Sequence, residues 1–166
     1  VAVGVNAGQT AQGINAVAIG VGAGNSSQGL YTVAIGNSAG QTSQGPESIA
    51  IGSTAGQTTQ GSFSVAVGLN AGRTTQGSTA VALGYNAGLT SQGQSAVAIG
   101  YFAGYTNQAT NSIILNATGA QLNQTTANTF TVKPVRDGGS AAGMAAAGFR
   151  PVYYNPTTGE FVYASS

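Results

Sequence analysis

Few side chains in this sequence could take part in proton or group transfer. The carboxylates are Glu47, Asp137 and Glu160, the cations are Lys133, Arg73, Arg136 and Arg150, and there is no His and no Cys. A serine nucleophile therefore has no imidazole base. The usual zinc sites, thiolate chemistry and a disulfide framework are excluded by residue type. Glu160 and Asp137 could in principle pair as acid and base, but with three carboxylates in the whole chain lone surface charges explain them better. Activation of a Ser or Thr by Lys133 has nothing behind it beyond the presence of the residues. The expectation is a protein that is not an enzyme, with no catalytic residues, no metal and no cofactor.

Aromatic residues carry more information. Tyr85, Tyr101, Phe102 and Tyr105 gather in one part of the chain, with Phe63 upstream. Exposed rings can stack on sugars or anchor a protein partner. They can equally pack under a cap or in a seam between chains. These four are the candidate ligand or partner contacts. Charged residues are 4% of the chain and the formal net charge is +1, against about 25% charged in ordinary soluble domains. Phosphate neutralisation has almost nothing to work with, so nucleic acid is not an expected partner.

The element that positions these residues is a repeat of 16, kept without a slip. Counting from the Val of each copy, position 1 is Val1, Val17, Val33, Ile49, Val65, Val81, Val97 and Ile113. Position 3 is Val3, Ile19, Ile35, Ile51, Val67, Leu83, Ile99 and Leu115. The consensus is V-A-[IV]-G-x-x-A-G-x-T-x-Q-G-x-x-[AST], in seven copies and a partial eighth over residues 1–116. Sixteen residues with a Gly every four or five cannot hold two helices. The V-A-[IV] triplets are bounded by Gly and read as short strands, and x-T-x-Q reads as a second strand. Two short strands and two turns per copy make one rung of a β-solenoid. Rungs stack about 4.8 Å apart, so seven give a rod of roughly 35 Å.

By strand alternation, Thr42, Thr58, Thr74 and Thr90 are expected to point the same way as Gln44, Gln60, Gln76 and Gln92. Both sets are expected to face inward and form hydrogen-bonded ladders from rung to rung. The column before Thr (Gln9, Asn25, Gln41, Gln57, Arg73, Leu89, Tyr105) varies and is expected to face solvent. In V-A-[IV] both strand faces are apolar, as in a strand covered on both sides. Val and Ile are expected to fill the chain's own interior and the Ala face to meet a neighbouring chain. A rung this thin and uncharged implies stabilisation by association, in a homo-oligomer with cyclic symmetry about the rod axis.

The segments "SVAVGLNAGRTTQG", "AVAIGYFAGYTNQ" and "ESIAIGSTAGQTTQG" resemble the head repeats of trimeric autotransporter adhesins. That resemblance implies a left-handed parallel β-roll of three chains intertwined about one axis. It departs in repeat length, which is nearer 14 in the bacterial heads, and in the absence of a following heptad stalk. The end of the chain, "NSIILNATGAQLNQTTANTFTVKPVRDG" and "GFRPVYYNPTTGEFVYASS", is similar to the ends of repeat fibre proteins of large DNA viruses and to segments of phage tail fibres. The resemblance implies a homotrimeric fibre or spike on a virion surface, with a host surface glycan or receptor as partner. Attachment to capsid or tail would run through regions outside this chain. A bacterial cell-surface adhesin head is the alternative, and an ice-binding or passive scaffold solenoid is a third reading. The third turns on whether the Thr column faces solvent.

Most of the seven charges lie beyond Asn116, and residues 117–166 are expected to form a small C-terminal β cap that registers the chains. Thr129 to Val135 reads as a strand, Asp137 to Gly148 as a linker or short helix. Asn155-Pro156-Thr157-Thr158-Gly159 reads as the loop of a β-hairpin. Asn25, Asn116 and Asn123 match the N-glycosylation pattern. No run is long enough for a membrane helix, so no membrane insertion is expected, and no signal-peptide pattern is present. The chain opens at Val1 in the middle of a motif and is expected to be a piece of something longer.

Overall fold

The computed structural model describes residues 1–135 and 151–163. Two compact units, Val1–Pro134 and Val135–Ser166, divide the chain.

The first unit is an all-β parallel solenoid. One sheet stacks β1 (Ala2–Val3), β3 (Val17–Ile19), β5 (Val33–Ile35), β7 (Ile49–Ile51), β9 (Val65–Val67), β11 (Val81–Leu83), β13 (Val97–Gly100), β14 (Ile113–Asn116) and β15 (Phe130–Lys133). The other stacks β2 (Thr10–Gln12), β4 (Ser26–Gln28), β6 (Thr42–Gln44), β8 (Thr58–Gln60), β10 (Thr74–Gln76) and β12 (Thr90–Gln92). Register is one repeat throughout the array: Val81 pairs with Val97, Thr74 with Thr90 and Gln76 with Gln92. Parallel stacking satisfies the backbone groups of each rung with those of its neighbours, including many in the turns, such as Gly56 N–H to the Ala71 carbonyl at 2.9 Å.

The interior reverses one expectation. Ala18, Ala34, Ala50, Ala66, Ala82 and Ala98 are fully buried, while the Val and Ile on either side of each stand on the outside. Ile51 is 37% and Leu83 43% exposed. In these rungs the space between the two sheets is filled by small side chains and by Gln amides. It holds the position-2 Ala, a second Ala column (Ala23, Ala39, Ala55, Ala71, Ala87, Ala103) and the Gln amides. The apolar face left uncovered is therefore the Val/Ile face, and the Ala face is core.

Thr and Gln do not share a direction either. The residue between them is left-handed in every rung, from Ala11 (φ 54) through Thr59 (φ 54) and Thr75 (φ 54) to Asn107 (φ 52). A left-handed residue breaks the two-residue alternation of an extended strand. Gln44, Gln60, Gln76 and Gln92 turn inward and are buried. Thr42 and Thr58 are exposed, and Thr74 and Thr90 half-exposed.

Towards the C-terminus the core changes character. Ile114 takes the position-2 place, fully buried, and Leu122 bridges to Ala103 and joins the core. β15 then adds to the sheet one residue out of period, with Ile113 opposite Phe130. The stacked sheet thus runs beyond Asn116, where the sequence repeat ends. The second unit contains an antiparallel hairpin, β16 (Val152–Tyr154) with β17 (Phe161–Tyr163), closed by Asn155 N–H donating to the Glu160 carbonyl at 2.9 Å. The segment Asp137–Gly148, read from sequence as a linker or short helix, lies outside the described residues.

Candidate functional site

Three features stand out on this scaffold: the Gln column inside, and the aromatic cluster and the Val/Ile stripe outside.

Each buried Gln crosses the interior and ties one sheet to the other. Gln60 Nε2 donates to the Ile49 carbonyl at 2.8 Å, and Gln44, Gln76 and Gln92 do the same to Val33, Val65 and Val81. Near the C-terminal end the amides also form a ladder. Gln76 Nε2 donates to Gln92 Oε1 at 3.1 Å, and Gln92 Nε2 to Gln108 Oε1 at 3.2 Å. In Gln28, Gln44, Gln60 and Gln76 the Oε1 atom is buried without a hydrogen-bond partner. It lies instead against the Gly four residues earlier. A Cβ on Gly56 would sit 2.6 Å from Gln60 Oε1. The A-G-x-T-x-Q half of the motif is thus one device, in which the Gly leaves room for the Gln that spans the core. The column is structural.

Outside, Tyr85, Tyr101, Phe102 and Tyr105 are brought together. Tyr85 and Tyr101, one rung apart, stack with centroids 5.3 Å apart and planes 15° apart. Phe102 lies 4.4 Å from Tyr101 and 5.4 Å from Tyr85, and Tyr105 4.8 Å from Phe102. Phe63 stands apart, exposed on another turn. Because Tyr85 and Tyr101 stack and Phe102 packs edge-on or tilted against both, the rings form a packed knot more than an open platform for a sugar. Tyr85 and Tyr101 remain 41% and 45% exposed. The column expected to face solvent is mostly half-buried, and Leu89 in it is covered.

The Val/Ile stripe was missed as an outward surface. Val17, Ile19, Val33, Ile35, Ile49, Ile51, Val65, Val67, Val81, Leu83, Val97 and Ile99 form two unbroken aliphatic columns, none of them buried. The signal was available: a rung whose other constant positions are mostly Ala and Gly encloses little room for Val and Ile besides the Gln.

The opposite sheet presents small hydroxyls. Ser26 and Ser27, Thr42 and Ser43, Thr58 and Thr59, Thr74 and Thr75, and Thr90 and Ser91 are half- or fully exposed. Among the glycosylation matches, Asn116 is buried and its Nδ2 donates to the carbonyls of Tyr101 (2.7 Å) and Ala120 (2.8 Å), so it cannot carry a glycan in this fold. Asn123 is exposed and Asn25 half-buried. Among the described residues no group of three or more His, Cys, Asp or Glu could hold a metal ion. Likewise no helix among them is long and apolar enough to cross a membrane.

Set against protein-family models, curated proteins and solved structures, the chain matches none.

Proposed function

We propose that this chain is the rod of a structural fibre or spike on a virion surface, a homotrimer that presents or contributes to host attachment. The observation that carries the homo-oligomer is the Val/Ile stripe. Monomeric proteins rarely leave so long a contiguous apolar surface in water. A face that repeats every rung is best covered by an identical face under cyclic symmetry. Covering it would also add a second hydrophobic layer to rungs whose own core is little more than methyl groups and amides. Function then lies in rigidity and in several copies of a weak contact on one rod, whose avidity exceeds that of each contact alone. The virion assignment comes from the resemblance of the C-terminal residues to viral fibre ends; a bacterial adhesin head is the alternative from the same motif. Immunogold labelling of the source material with antibodies against residues 1–134 separates them. Gold on virions supports the proposal, gold on bacterial envelopes replaces it with the adhesin reading, and labelling of neither surface overturns both.

One observation favours a second reading, an ice-binding solenoid. The Thr column faces solvent, contrary to expectation, beside a column that is mostly Ser and Thr. Thermal hysteresis and ice-crystal shaping in dilute solution of the purified rod test it. Crystals that grow as round discs with no hysteresis remove this reading.

A further inference from the structure

We propose that the knot of Tyr85, Tyr101, Phe102 and Tyr105 fixes the register in which a second copy of this chain lies along the Val/Ile stripe. The proposal rests on the homo-oligomeric reading above and adds to it how the copies align.

The stripe has a defect as a recognition surface. Positions 1 and 3 carry an aliphatic residue in every full rung, so sliding one copy by a rung exchanges Val for Val or Ile for Leu. Such volume-conserving exchanges are well tolerated in packed apolar surfaces. A repeating surface therefore drives association without selecting a register, and slipped copies leave uncovered rungs at each end that recruit further chains. Something that does not repeat has to break the degeneracy.

The adjoining column does not repeat. Position 5 reads Val21, Asn37, Ser53, Leu69, Tyr85, Tyr101. It belongs to the same edge of the rung, because the hydrogen-bond ladder that joins the position-3 residues runs on through it. The Ile19 carbonyl accepts from Gly36 N–H and the Val21 carbonyl from Ser38 N–H, both at 2.8 Å. Two rungs from the end of the array, the Tyr85 carbonyl accepts from Phe102 N–H at 3.0 Å. Large rings thus follow two residues after Leu83 and Ile99, at one end of the stripe only, while small polar residues follow Ile35 and Ile51. The rings are also held. Phe102 occupies the left-handed position (φ 52) filled by Asn, Gly, Ser or Thr in the other rungs, and it wedges between Tyr101 and Tyr105. A packed cluster in which Tyr85 and Tyr101 keep about two-fifths of their surface open is a knob of defined shape. In register, the knots of the copies lie at one height. A two-rung slip would set Tyr101 level with Leu69 and Tyr85 level with Ser53.

The chain has no Cys, so introduced thiols report without background. Ile51→Cys and Val67→Cys variants, in neighbouring rungs, are mixed, unfolded, refolded together and treated with a short thiol crosslinker. The native aromatic background is expected to give 51–51 and 67–67 products with 51–67 at least ten-fold weaker. With Tyr85→Ser and Tyr101→Ser added, 51–67 products are expected to reach a comparable yield and the mass distribution to broaden. Adding Asn37→Tyr and Ser53→Tyr to that background moves the knob to earlier rungs and is expected to restore a single register. That relocated variant also decides the matter if the ring-free protein does not fold. An oligomer whose crosslink pattern is unchanged by removing the rings overturns the register role alone. A monomeric native protein overturns the oligomeric reading and this one with it.

Discussion

The two sheets of the solenoid share a register and a rung, yet they solve opposite problems. In V-A-[IV] the alternation of an extended strand survives: Ala points in, and Val and Ile point out on both sides of it. In T-x-Q a left-handed residue at the centre destroys the alternation, so Thr goes out and Gln goes in. The result is a rod with an aliphatic face and a hydroxyl face around an interior of methyl groups and amides. Within the V-A-[IV] strand the small Ala takes the inside, and hydrophobicity alone does not decide which column is core. The most hydrophobic columns are expelled because the smallest ones fit.

The largest effect is expected from the inside of the rod. Ala66 is fully buried between the sheets. Ala66→Leu puts a branched side chain where only a methyl group fits, and is expected to cost on the order of 3 kcal/mol, by overpacking. Loss of the cooperative thermal transition at temperatures where the native protein is folded is the readout. The same Leu at Val67, on the outward column, should leave the transition nearly in place. If the two substitutions behave alike, the assignment of inside and outside is wrong.

The Gly–Gln device gives a smaller effect. Gly56→Ala demands a left-handed Ala (φ 53) and drives its Cβ against Gln60. The conformational term alone is about 1–2 kcal/mol, and displacing Gln60 from the Ile49 carbonyl adds about 1 kcal/mol for the lost hydrogen bond. The double variant Gly56→Ala, Gln60→Ala should then lose less than the sum of the two single ones, because the clash disappears with the amide. Denaturant unfolding of all four proteins measures it. Strict additivity would mean that Gly56 is there for the turn alone.

The smallest effect sharpens the account of the T-x-Q sheet. Thr59 is β-branched and left-handed (φ 54), a combination that costs energy. Asn tolerates that conformation better, so Thr59→Asn should stabilise the rod by about 0.5 kcal/mol. Its melting temperature should rise while Thr58→Asn, one residue earlier, gives no such gain.

Much of the fold was legible in the sequence, for a definite reason. A parallel rung repeats its neighbour's environment, so each structural demand appears as a column: Gly52 and Gly68 where rungs approach too closely for a Cβ, Gln60 and Gln76 where the core must be spanned. Facing was less legible. A V-A-I triplet is apolar on both sides, and only the space between the sheets decides which side is core. Thr58 was misdirected because nothing in T-T-Q announces a left-handed Thr59. The candidate contacts were half legible: Tyr85 and Tyr101 share a column by spacing, but Phe102 and Tyr105 join them only through the turn. The extension through Phe130–Lys133 left no trace in the repeat, since backbone pairing needs no recurrence of side chains.

The homo-oligomer we propose would cover the Val/Ile face with other copies of the chain. Light scattering coupled to size-exclusion chromatography tests it most directly. A single species at three times the 16.2 kDa chain mass is expected. A stable 16.2 kDa monomer would contradict it, leaving a self-sufficient solenoid with a bare aliphatic face.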